Sequence, residues 1–403
     1  MTSTGIRVLV LTSLFPQSPG EKQGNFVLDQ VRALVAQGAE VTVLVARPWV
    51  PAPMRTAVST NKRPIDPAVY SGERFRVVNA DFFSLPRFVL GAQAARFMVK
   101  LVGDIRRIQQ EWGIDVIHAH GFVLGHAAVA ASEELRIPAV ITVHGIETAE
   151  RFDNSPEKRE QIDRMLEKTD RIVLVGSPLI EYIRRYTPTT EHCVVVGNGF
   201  TAYSGLEAST RLPRQKPVRV IAVSNYEPSK GFELLIEGIG MLEPEVRNQV
   251  ETVLVGGGEE FSKLSARAKE LGLRDQVHYL GPLLHREAMA EVLAADVFCL
   301  PSWKEAFGIM YAEAMALGKF TIGCDGQGPS DFIRHLETGY LMAPRSKSAV
   351  TEAIRWAVLH SDEARRIAES GQNFAFGHLT WGHNASRILE IYRESLTTRA
   401  KVG

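Results

Sequence analysis

The sequence predicts an α/β fold with two doubly wound, Rossmann-like domains in series and a cleft between them. In the first half, short β-branched runs such as RVLVLT and EVTVLVA alternate with stretches of helical period. The alternation begins again with VRVIAVS, ETVLVGGG and FTIGC, after a linker-like segment rich in Pro, Gly, Ser and Thr at residues 200–217. Such alternation produces parallel sheets, whose ligands bind at the carboxyl ends of the strands.

Composition limits the partners of the protein. The 403 residues are 45% apolar, enough for two cores, and contain 46 Lys plus Arg and 46 Asp plus Glu. Without net charge, the whole molecule has no field that would recruit nucleic acid or a membrane. Cys193, Cys299 and Cys324 are far apart in strand-like surroundings, which is typical of reduced thiols in a reducing compartment. No apolar run approaches the roughly 20 residues needed to span a bilayer.

Two loops of the second half have the placement of anion-binding turns. VGGGEE follows a strand and opens a helix, so the amides around Gly257 would face an anion, although glycines there equally serve packing. SNYEPSKGF places Lys230 at a helix start, where an ammonium suits phosphate oxygens, although a solvated lysine is the ordinary alternative. Neither the G-x-x-x-x-G-K-[ST] loop nor a G-x-G-x-x-G after the first strand is present, which disfavours nucleotide triphosphatases and dehydrogenases.

The first half has two comparable positions. Gly24 and Asn25 stand immediately before a helix, whose free N–H groups and dipole favour an anion, unless Asn25 is a plain N-cap. In DVIHAHG, His118 and His120 end a strand, and residues two apart in a strand point to one face. Either both line a site, or one is a satisfied buried histidine.

A metal site is disfavoured by the spacing of the histidines. His126, His144 and Glu147 follow the His118 and His120 pair as a loose collection, and no H-x-x-x-H or H-E-x-x-H spacing is present. The chain also contains no D-x-D triplet. We therefore expect neither a metal nor a cofactor.

The stretch SWKEAFGIMYAEAMALG, residues 302–318, places one carboxylate, Glu313, in an otherwise apolar helical run. A helix apolar on all sides is normally buried, and a buried carboxylate requires a partner. If both were helical, Glu305 and Glu313 would lie about 12 Å apart, too far for paired acid and base catalysis on a glycoside. With Glu305 in the loop, one ligand would run from it across a diphosphate at the helix start to Glu313. A nucleotide-diphosphate sugar has that form.

Together these elements resemble glycosyltransferase family 4, which has the GT-B fold. The matching elements are EAFGIMYAE, the KG pair at Lys230, VGGGEE, GNG at residues 197–199, HAH and ETGYLMAP. The resemblance implies metal-independent transfer, with retention of configuration, of a hexosyl-type sugar from a nucleotide-diphosphate sugar. It also implies an acceptor-side domain over residues 1–202, a donor-binding domain over 203–379, and a terminal helix over 380–403 that packs back onto the first domain.

The resemblance further implies roles for single residues. In the family, the first glutamate of the E-x7-E element and the amides after it hold the sugar, the second glutamate holds the ribose, and the histidine faces the reacting carbon. The catalytic residues would be His120, Lys230 and Glu305. The donor-binding residues would be Gly24, Asn25, Asn225, Lys230, Gly257, Glu305, Ala306, Phe307, Gly308 and Glu313. His118, His144 and Glu147 are expected on the acceptor side.

One position departs from the family pattern. Asn225 stands where many members carry an arginine five residues before the lysine, so the phosphate site loses one fixed charge. The sequence leaves open whether the Asn225 amide hydrogen-bonds the diphosphate or another arginine substitutes.

The acceptor is less clearly indicated. Residues 47–112 carry 11 Lys or Arg against 5 Asp or Glu, and residues 85–112 mix aromatic, aliphatic and basic side chains at helical spacing. This pattern fits contact with an anionic membrane, or a core-facing helix with a solvated basic face. Through GNFVLDQVRAL and SNYEPSKG, the chain is most similar to members that build bacterial surface polysaccharides on lipid carriers. We therefore expect a glycan or lipid-linked acceptor, no nucleic acid, and a cytoplasmic location at the inner face of the membrane.

Two other functions stay open. A nucleotide-sugar epimerase of the same fold would share the two-domain organisation, and a non-catalytic partner subunit would keep a nucleotide-sugar site without turnover.

Overall fold

The computed structural model describes residues 5–18, 21, 24–49, 63–83, 99–145, 156–187, 189–202 and 217–402, and the statements below concern these residues. They form two compact units, Met1–Gly197 with Trp381–Gly403, and Asn198–Thr380. Each unit contains one parallel sheet, which confirms the predicted α/β class with two doubly wound domains. The predicted boundary after residue 202 lies five residues beyond the observed one at Gly197.

The strands and helices alternate along most of the chain. The strands are β1 Arg7–Thr12, β2 Glu40–Trp49, β3 Phe75–Phe83, β4 Val116–His120, β5 Ala139–Val143, β6 Arg171–Leu174, β7 Cys193–Val195, β8 Val218–Val223, β9 Val250–Val255, β10 Val277–Gly281, β11 Val297–Cys299, β12 Phe320–Cys324 and β13 Tyr340–Met342. The helices are α1 Asn25–Ala36, α2 Val99–Glu111, α3 Phe122–Leu135, α4 Pro156–Glu167, α5 Pro178–Ile183, α6 Phe232–Gly240, α7 Pro244–Arg247, α8 Phe261–Glu270, α9 His285–Leu293, α10 Ile309–Ala316, α11 Lys347–Leu359, α12 Ser361–His378 and α13 Trp381–Val402. Short 3₁₀ turns lie at Pro67–Tyr70, Pro228–Lys230 and Gly328–Asp331.

Both sheets reverse their strand order near the middle. The first has the order β3-β2-β1-β4-β5-β6-β7 and the second the order β10-β9-β8-β11-β12-β13. The reversals therefore lie between β1 and β4 and between β8 and β11. Loops leave a doubly wound sheet in opposite directions at such a point and open a crevice, which is where its ligands bind.

The first sheet is buried on both faces because helices cover each side. The side chains of Val8 and Val10 in β1 share a core with Leu28 of α1 and Ile388 of α13. The intervening Leu9 is also fully buried. Such continuous apolar strands are typical of parallel sheets and explain why β1 reads as an uninterrupted apolar run.

Helix α2 is the described part of the basic segment predicted to touch a membrane or the core. Leu101, Ile105 and Ile108 are buried, so this face packs inward. Among its arginines, Arg106 pairs with Glu134 and Arg107 with Asp104. The described half therefore fits a core-facing helix whose charges are largely balanced, while residues 84–98 lie outside the described residues. In the described part of the chain, no helix has the length and apolar character needed to cross a membrane.

Helix α13 closes the first unit. Ile388 and Tyr392 are fully buried in its core, and Asn384 donates to the carbonyl of Gly197 at 2.8 Å. Near its end, the Arg399 guanidinium donates to both carboxylate oxygens of Asp170, at 2.8 and 3.0 Å. The first unit is therefore built from two separate segments of the chain.

We expect Ile388→Ala to destabilise the first unit by about 2 to 5 kcal/mol, because it leaves a cavity beneath the sheet. Hydrogen–deuterium exchange should become faster in β1 and β4 and stay unchanged in β8 and β11. Arg393→Ala, at an exposed position of the same helix, is the control. Equal acceleration in both sheets would contradict the assignment of α13 to the first unit.

Candidate active site

Sequence-predicted site residues gather at the point of strand reversal in each unit. In the second unit, the loops after β8 and β11 carry Lys230 and Glu305. In the first unit, the loop after β1 leads to Gly24 and Asn25, and β4 ends at His120. Each unit thus presents its own half of the predicted residues.

Glu313 lies in α10 with a side chain that is 3% exposed, and its partner is His285. The Nε2 atom of His285 lies 3.0 Å from Oε1 and 3.2 Å from Oε2 of Glu313. His285 is the first residue of α9 and its side chain is 26% exposed. The carboxylate is therefore satisfied by a histidine whose other side reaches solvent. No feature of the sequence distinguished His285, because a histidine at a helix start has no spacing signature.

Lys230 and Glu305 form an ion pair at 2.9 Å, and their side chains are 21% and 16% exposed. The 3₁₀ turn that ends at Lys230 is attached to the Glu305 loop, since the carbonyl of Ser229 accepts from the amide of Trp303 at 3.0 Å. Gly231 completes the close approach, because its φ is 76° and a Cβ there would lie 2.3 Å from the carbonyl oxygen of Pro301. Two separate loops thus hold the ammonium and the carboxylate together.

The loop from Glu305 to Gly308 is fixed by the loop that follows β12. The amide of Glu305 donates to Oε1 of Gln327 at 3.2 Å, and the amide of Gly328 donates to the carbonyl of Glu305 at 2.9 Å. A Cβ at Gly328 would lie 2.5 Å from the backbone of Phe307, so this contact requires glycine. Contacts of its backbone, and not only of its side chains, therefore fix the conformation of this loop.

Three consecutive amides before α10 have no acceptor among the described residues. They belong to Ala306, Phe307 and Gly308, of which Gly308 caps the helix with φ of 89°. The side chain of Phe307 is buried against Phe332, at 5.0 Å between ring centroids, so only its backbone is offered to a ligand. Free N–H groups at a helix N-terminus favour an anion, so this turn beside the Lys230–Glu305 pair is a candidate anion site.

The glycine loop after β9 has a packing role. A Cβ at Gly256 would lie 1.8 Å from the carbonyl oxygen of Ser224, and one at Gly258 would lie 2.6 Å from that of Tyr226. The carbonyl of Gly257 accepts from the amide of Tyr226 at 2.9 Å. These contacts account for the outer glycines, so a ligand-binding role for Gly257 stays a prediction. Asn225 is exposed in the adjoining loop.

At the start of α1, the cap is Gly24 and not Asn25. Gly24 has φ of 87°, and a Cβ there would lie 2.7 Å from the carbonyl of Leu14. Asn25 is the first helical residue, and no side chain caps the helix. The interpretation of Asn25 as a plain N-cap is therefore wrong, and its side chain stays available to a ligand.

His118 has both ring nitrogens engaged by the protein. Its Nδ1 lies 2.5 Å from the hydroxyl of Tyr392 and its Nε2 lies 2.7 Å from the hydroxyl of Thr142. The side chain is fully buried. Of the two alternatives, His118 is thus the satisfied buried histidine, and contact with an acceptor would require breaking one of these bonds.

His120 differs from His118 in having one free nitrogen. Its Nδ1 lies 2.8 Å from Nε2 of His144, while its buried Nε2 has no hydrogen-bond partner among the described residues. Buried polar groups are normally hydrogen-bonded, so this nitrogen at the carboxyl end of β4 is a candidate contact for a ligand. Glu147, predicted beside His144, lies outside the described residues.

Burial lowers the pKa of four histidines in this unit, which favours their neutral form. Burial lowers the pKa of His118 to about 3, with a contribution from His144, and lowers the pKa of His144 to about 4. Burial also places the pKa of His120 well below its ordinary value, reinforced by His118 and His144. Burial lowers the pKa of His126 on α3 to about 4. In the described part of the chain, no three His, Cys, Asp or Glu side chains are grouped to hold a metal.

Two family models match the chain. One described as Glycosyltransferase Family 4 matches residues 23–202, and one described as Glycosyl transferases group 1 matches residues 207–374. A relative provisionally named the teichuronic acid biosynthesis glycosyltransferase TuaC, from Bacillus subtilis (strain 168), is 26% identical over 87% of this chain and 88% of its own length. A D-inositol 3-phosphate glycosyltransferase from Xylanimonas cellulosilytica is 24% identical over 93% of this chain and 92% of its own.

Solved structures share the fold. A glycosyltransferase from Rickettsia africae has a TM-score of 0.73 and 15% identity, covering 97% of this chain and 99% of its own. Anabaena HepE in complex with UDP has a TM-score of 0.70 and 20% identity, covering 96% and 100%.

We expect acid to destabilise the first unit between pH 6.5 and 5. The buried histidines have pKa values below those of the unfolded chain, so they stay neutral in the fold while the unfolded chain takes up protons. Each such histidine should cost about 1.4 kcal/mol of unfolding free energy per pH unit once the pH falls below 6.5. Urea unfolding at pH 7, 6 and 5.5 measures the slope, and His126→Gln should reduce it by about one proton. An unfolding free energy independent of pH over this range would contradict the buried, neutral state.

Proposed function

This chain belongs to the family 4 glycosyltransferases, and from that premise we propose that it moves a hexosyl-type sugar from a nucleotide-diphosphate sugar to a glycan or lipid-linked acceptor with retention of configuration. The bond between the anomeric carbon and the diphosphate oxygen breaks, and a bond from the same face to an acceptor oxygen forms. The departing phosphate oxygen takes the proton of the acceptor hydroxyl. The observation that carries the proposal is the Lys230–Glu305 pair beside three free amides.

The diphosphate would lie between the Lys230 ammonium and the amides before α10. An ammonium has three N–H donors, and one is directed at Glu305, which leaves donors for phosphate oxygens. As the glycosidic bond breaks, negative charge grows on the diphosphate, so fixed donors act most strongly in the transition state. In this proposal Lys230 and the amides stabilise the leaving group without a metal or cofactor.

Asn225 is not required to carry charge in this arrangement. It is exposed at the carboxyl end of β8, where its amide can donate one neutral hydrogen bond. A neutral donor is weaker than the bidentate guanidinium found there in many family members. We therefore propose that this chain depends more strongly on Lys230 than relatives with arginine do.

Glu313 and His285 would recognise the ribose. The carboxylate accepts hydrogen bonds and His285 stands at its solvent side, so ribose hydroxyls would donate to the carboxylate beside the imidazole. Glu305 would hold the sugar hydroxyls, together with those amides of Ala306 to Gly308 that the diphosphate leaves free. In the first unit, the free Nε2 of His120 would contact the sugar, and Gly24 with Asn25 would contact the diphosphate.

We infer the acceptor class from the relatives of the chain. We infer its cellular location from its cysteines. The relative TuaC is named for teichuronic acid biosynthesis, which supports polysaccharide synthesis as the process. The three cysteines, Cys193, Cys299 and Cys324, are free, which supports a reducing compartment. We place the enzyme in the cytoplasm, at the inner membrane face when its acceptor is lipid-linked.

A thermal-shift screen of nucleotide-diphosphate sugars, followed by product analysis, tests the function. A donor at 100 times its dissociation constant adds about 2.7 kcal/mol of stability. The anomeric configuration of the product, read by NMR, should equal that of the donor. Release of an epimer without acceptor would favour an epimerase, and binding without turnover would favour a non-catalytic subunit.

Lys230→Ala should lower the turnover number by about 100-fold or more and weaken binding of the nucleoside diphosphate product. His120→Ala should also reduce transfer strongly, but should leave nucleoside diphosphate affinity nearly intact because that ligand has no sugar. Calorimetry of both variants with the nucleoside diphosphate, beside a transfer assay, measures the difference. Equal losses of diphosphate affinity would contradict the sugar-facing role of His120, and full transfer activity would make it a structural histidine.

Glu313→Gln should lower donor affinity by about 1.5 to 3 kcal/mol, because a neutral amide accepts ribose hydroxyls less strongly than a carboxylate. Binding of a donor analogue without ribose hydroxyls should fall much less. His285→Gln removes the imidazole and keeps the carboxylate, so a smaller loss of donor affinity than for Glu313→Gln would assign the ribose contact chiefly to the carboxylate. Equal losses for the two ligands would refute the ribose assignment.

A further inference from the structure

Five aromatic rings of the first unit form a continuous cluster that ends at the free nitrogen of His120. We call Phe26, His118, His120, His144 and Tyr392 the ring cluster. We infer that His144 and Tyr392 are positioning residues: together they fix the ring plane and the proton of His120, so that its Nε2 is presented to the bound sugar. The inference rests on the proposed function for the identity of the sugar ligand.

The hydrogen bond between His120 and His144 lies in the plane of both rings. The rings are nearly parallel, at 8°, with centroids 5.0 Å apart and the facing nitrogens 2.8 Å apart. The difference between these distances is about the sum of two ring radii, so the imidazoles meet edge to edge and are not stacked. This is the direction in which ring N–H groups and lone pairs point. The bond therefore constrains the rotation of His120 as well as its position.

His144 also decides where the proton of His120 resides. Between two neutral imidazoles, a single proton occupies the hydrogen bond that joins Nδ1 of His120 and Nε2 of His144. If His120 donates, its Nε2 is a bare acceptor; if His144 donates, the Nε2 of His120 carries hydrogen. The partner of one ring nitrogen thus sets the chemistry of the other. Phe26 packs against the His144 ring, with centroids 4.6 Å apart.

His118 packs against the face of the His120 ring, whereas His144 contacts its edge. Their rings are stacked at 4.7 Å and 25°. The hydroxyls of Tyr392 and Thr142 hold the two nitrogens of His118 at 2.5 and 2.7 Å, so the His118 ring cannot turn without losing both bonds. Tyr392 belongs to α13, so the C-terminal helix is connected to the sugar-contacting ring through one intervening side chain.

A metal site does not explain this arrangement. Among the six ring nitrogens of the three histidines, two face each other and two are bonded to hydroxyls. Of the two that remain, Nδ1 of His144 and Nε2 of His120, the latter is buried and unpartnered among the described residues, and the described residues hold no group of three metal-ligating side chains.

The test uses two substitutions of His144 in the full chain. His144→Phe keeps a ring beside Phe26 and removes the hydrogen bond, whereas His144→Gln keeps a group that can donate or accept. We expect His144→Phe to lower kcat by about 10- to 100-fold with nucleoside diphosphate affinity unchanged, and His144→Gln to restore most of kcat. His126→Gln, at the neutral histidine of α3 outside the cluster, is the matched control and should leave kcat unchanged.

Tyr392→Phe tests the other side of the cluster. It removes only the hydroxyl that bonds His118, and we expect kcat to fall by about 3- to 10-fold without a change in nucleoside diphosphate affinity.

A kcat for His144→Phe equal to that of His126→Gln would overturn the inference. The inference would also be overturned if His144→Phe lowered kcat, nucleoside diphosphate affinity and melting temperature together, and if His144→Gln did not restore them.

A spectroscopic readout separates this inference from the proposed function. In protein labelled with ¹⁵N in its histidines, ring correlation spectra report the tautomer of His120 without any assay of transfer. We expect one tautomer in the wild type and in His126→Gln, and a mixture in His144→Phe. If no sugar is transferred but this pattern is found, the proposed function fails and the positioning stands. A single, unchanged tautomer of His120 in His144→Phe would refute the positioning itself.

Discussion

The reversal of strand order at the centre of each parallel sheet is the constraint on which the placement of the predicted site residues in each unit depends. It separates the loops after β1 and β4 in the first unit, and those after β8 and β11 in the second. Residues far apart in sequence, such as Lys230 and Glu305, meet because their strands are neighbours at that point. The contact needs glycine at positions 231 and 328, where backbones approach too closely for a Cβ. The strand order thus brings the loops of Lys230 and Glu305 together, and the glycines allow the backbones of the neighbouring loops to approach closely.

Charge in the second unit is balanced in pairs. Glu313 is buried in an apolar helix, yet His285 satisfies it from a neighbouring helix start. Glu305 is likewise held by Lys230, while the amides of Ala306 to Gly308 keep their hydrogen-bonding capacity. A ligand with both hydroxyls and phosphates can use these groups without leaving any buried charge unpaired, which is the costly alternative.

The periodicity of the sequence predicted the fold well because burial on both sides makes parallel strands continuous apolar runs, as in β1 and β8. It also predicted that Glu313 needs a partner, since an apolar helix around a carboxylate has few other meanings. It missed His285, Gln327 and Tyr392, because their contacts depend on which helices and loops become neighbours in space. It left the two histidines of β4 undistinguished, because a strand pattern gives the shared face of His118 and His120 but not which ring finds partners there.

The hydroxyl of Tyr392 beneath His118 has a consequence for synthesis of the protein. The first unit is interrupted by the whole of Asn198–Thr380, and its core and ring cluster lack a member until residue 392 is made. Domains generally fold as units while the chain emerges, beginning with the N-terminal one. The face of the N-terminal sheet that α1 and α13 share is therefore only partly covered while the second unit is translated. His118 therefore acquires its hydrogen bond to Tyr392 only after the second unit has been translated, so the first unit is completed later although its strands are made first.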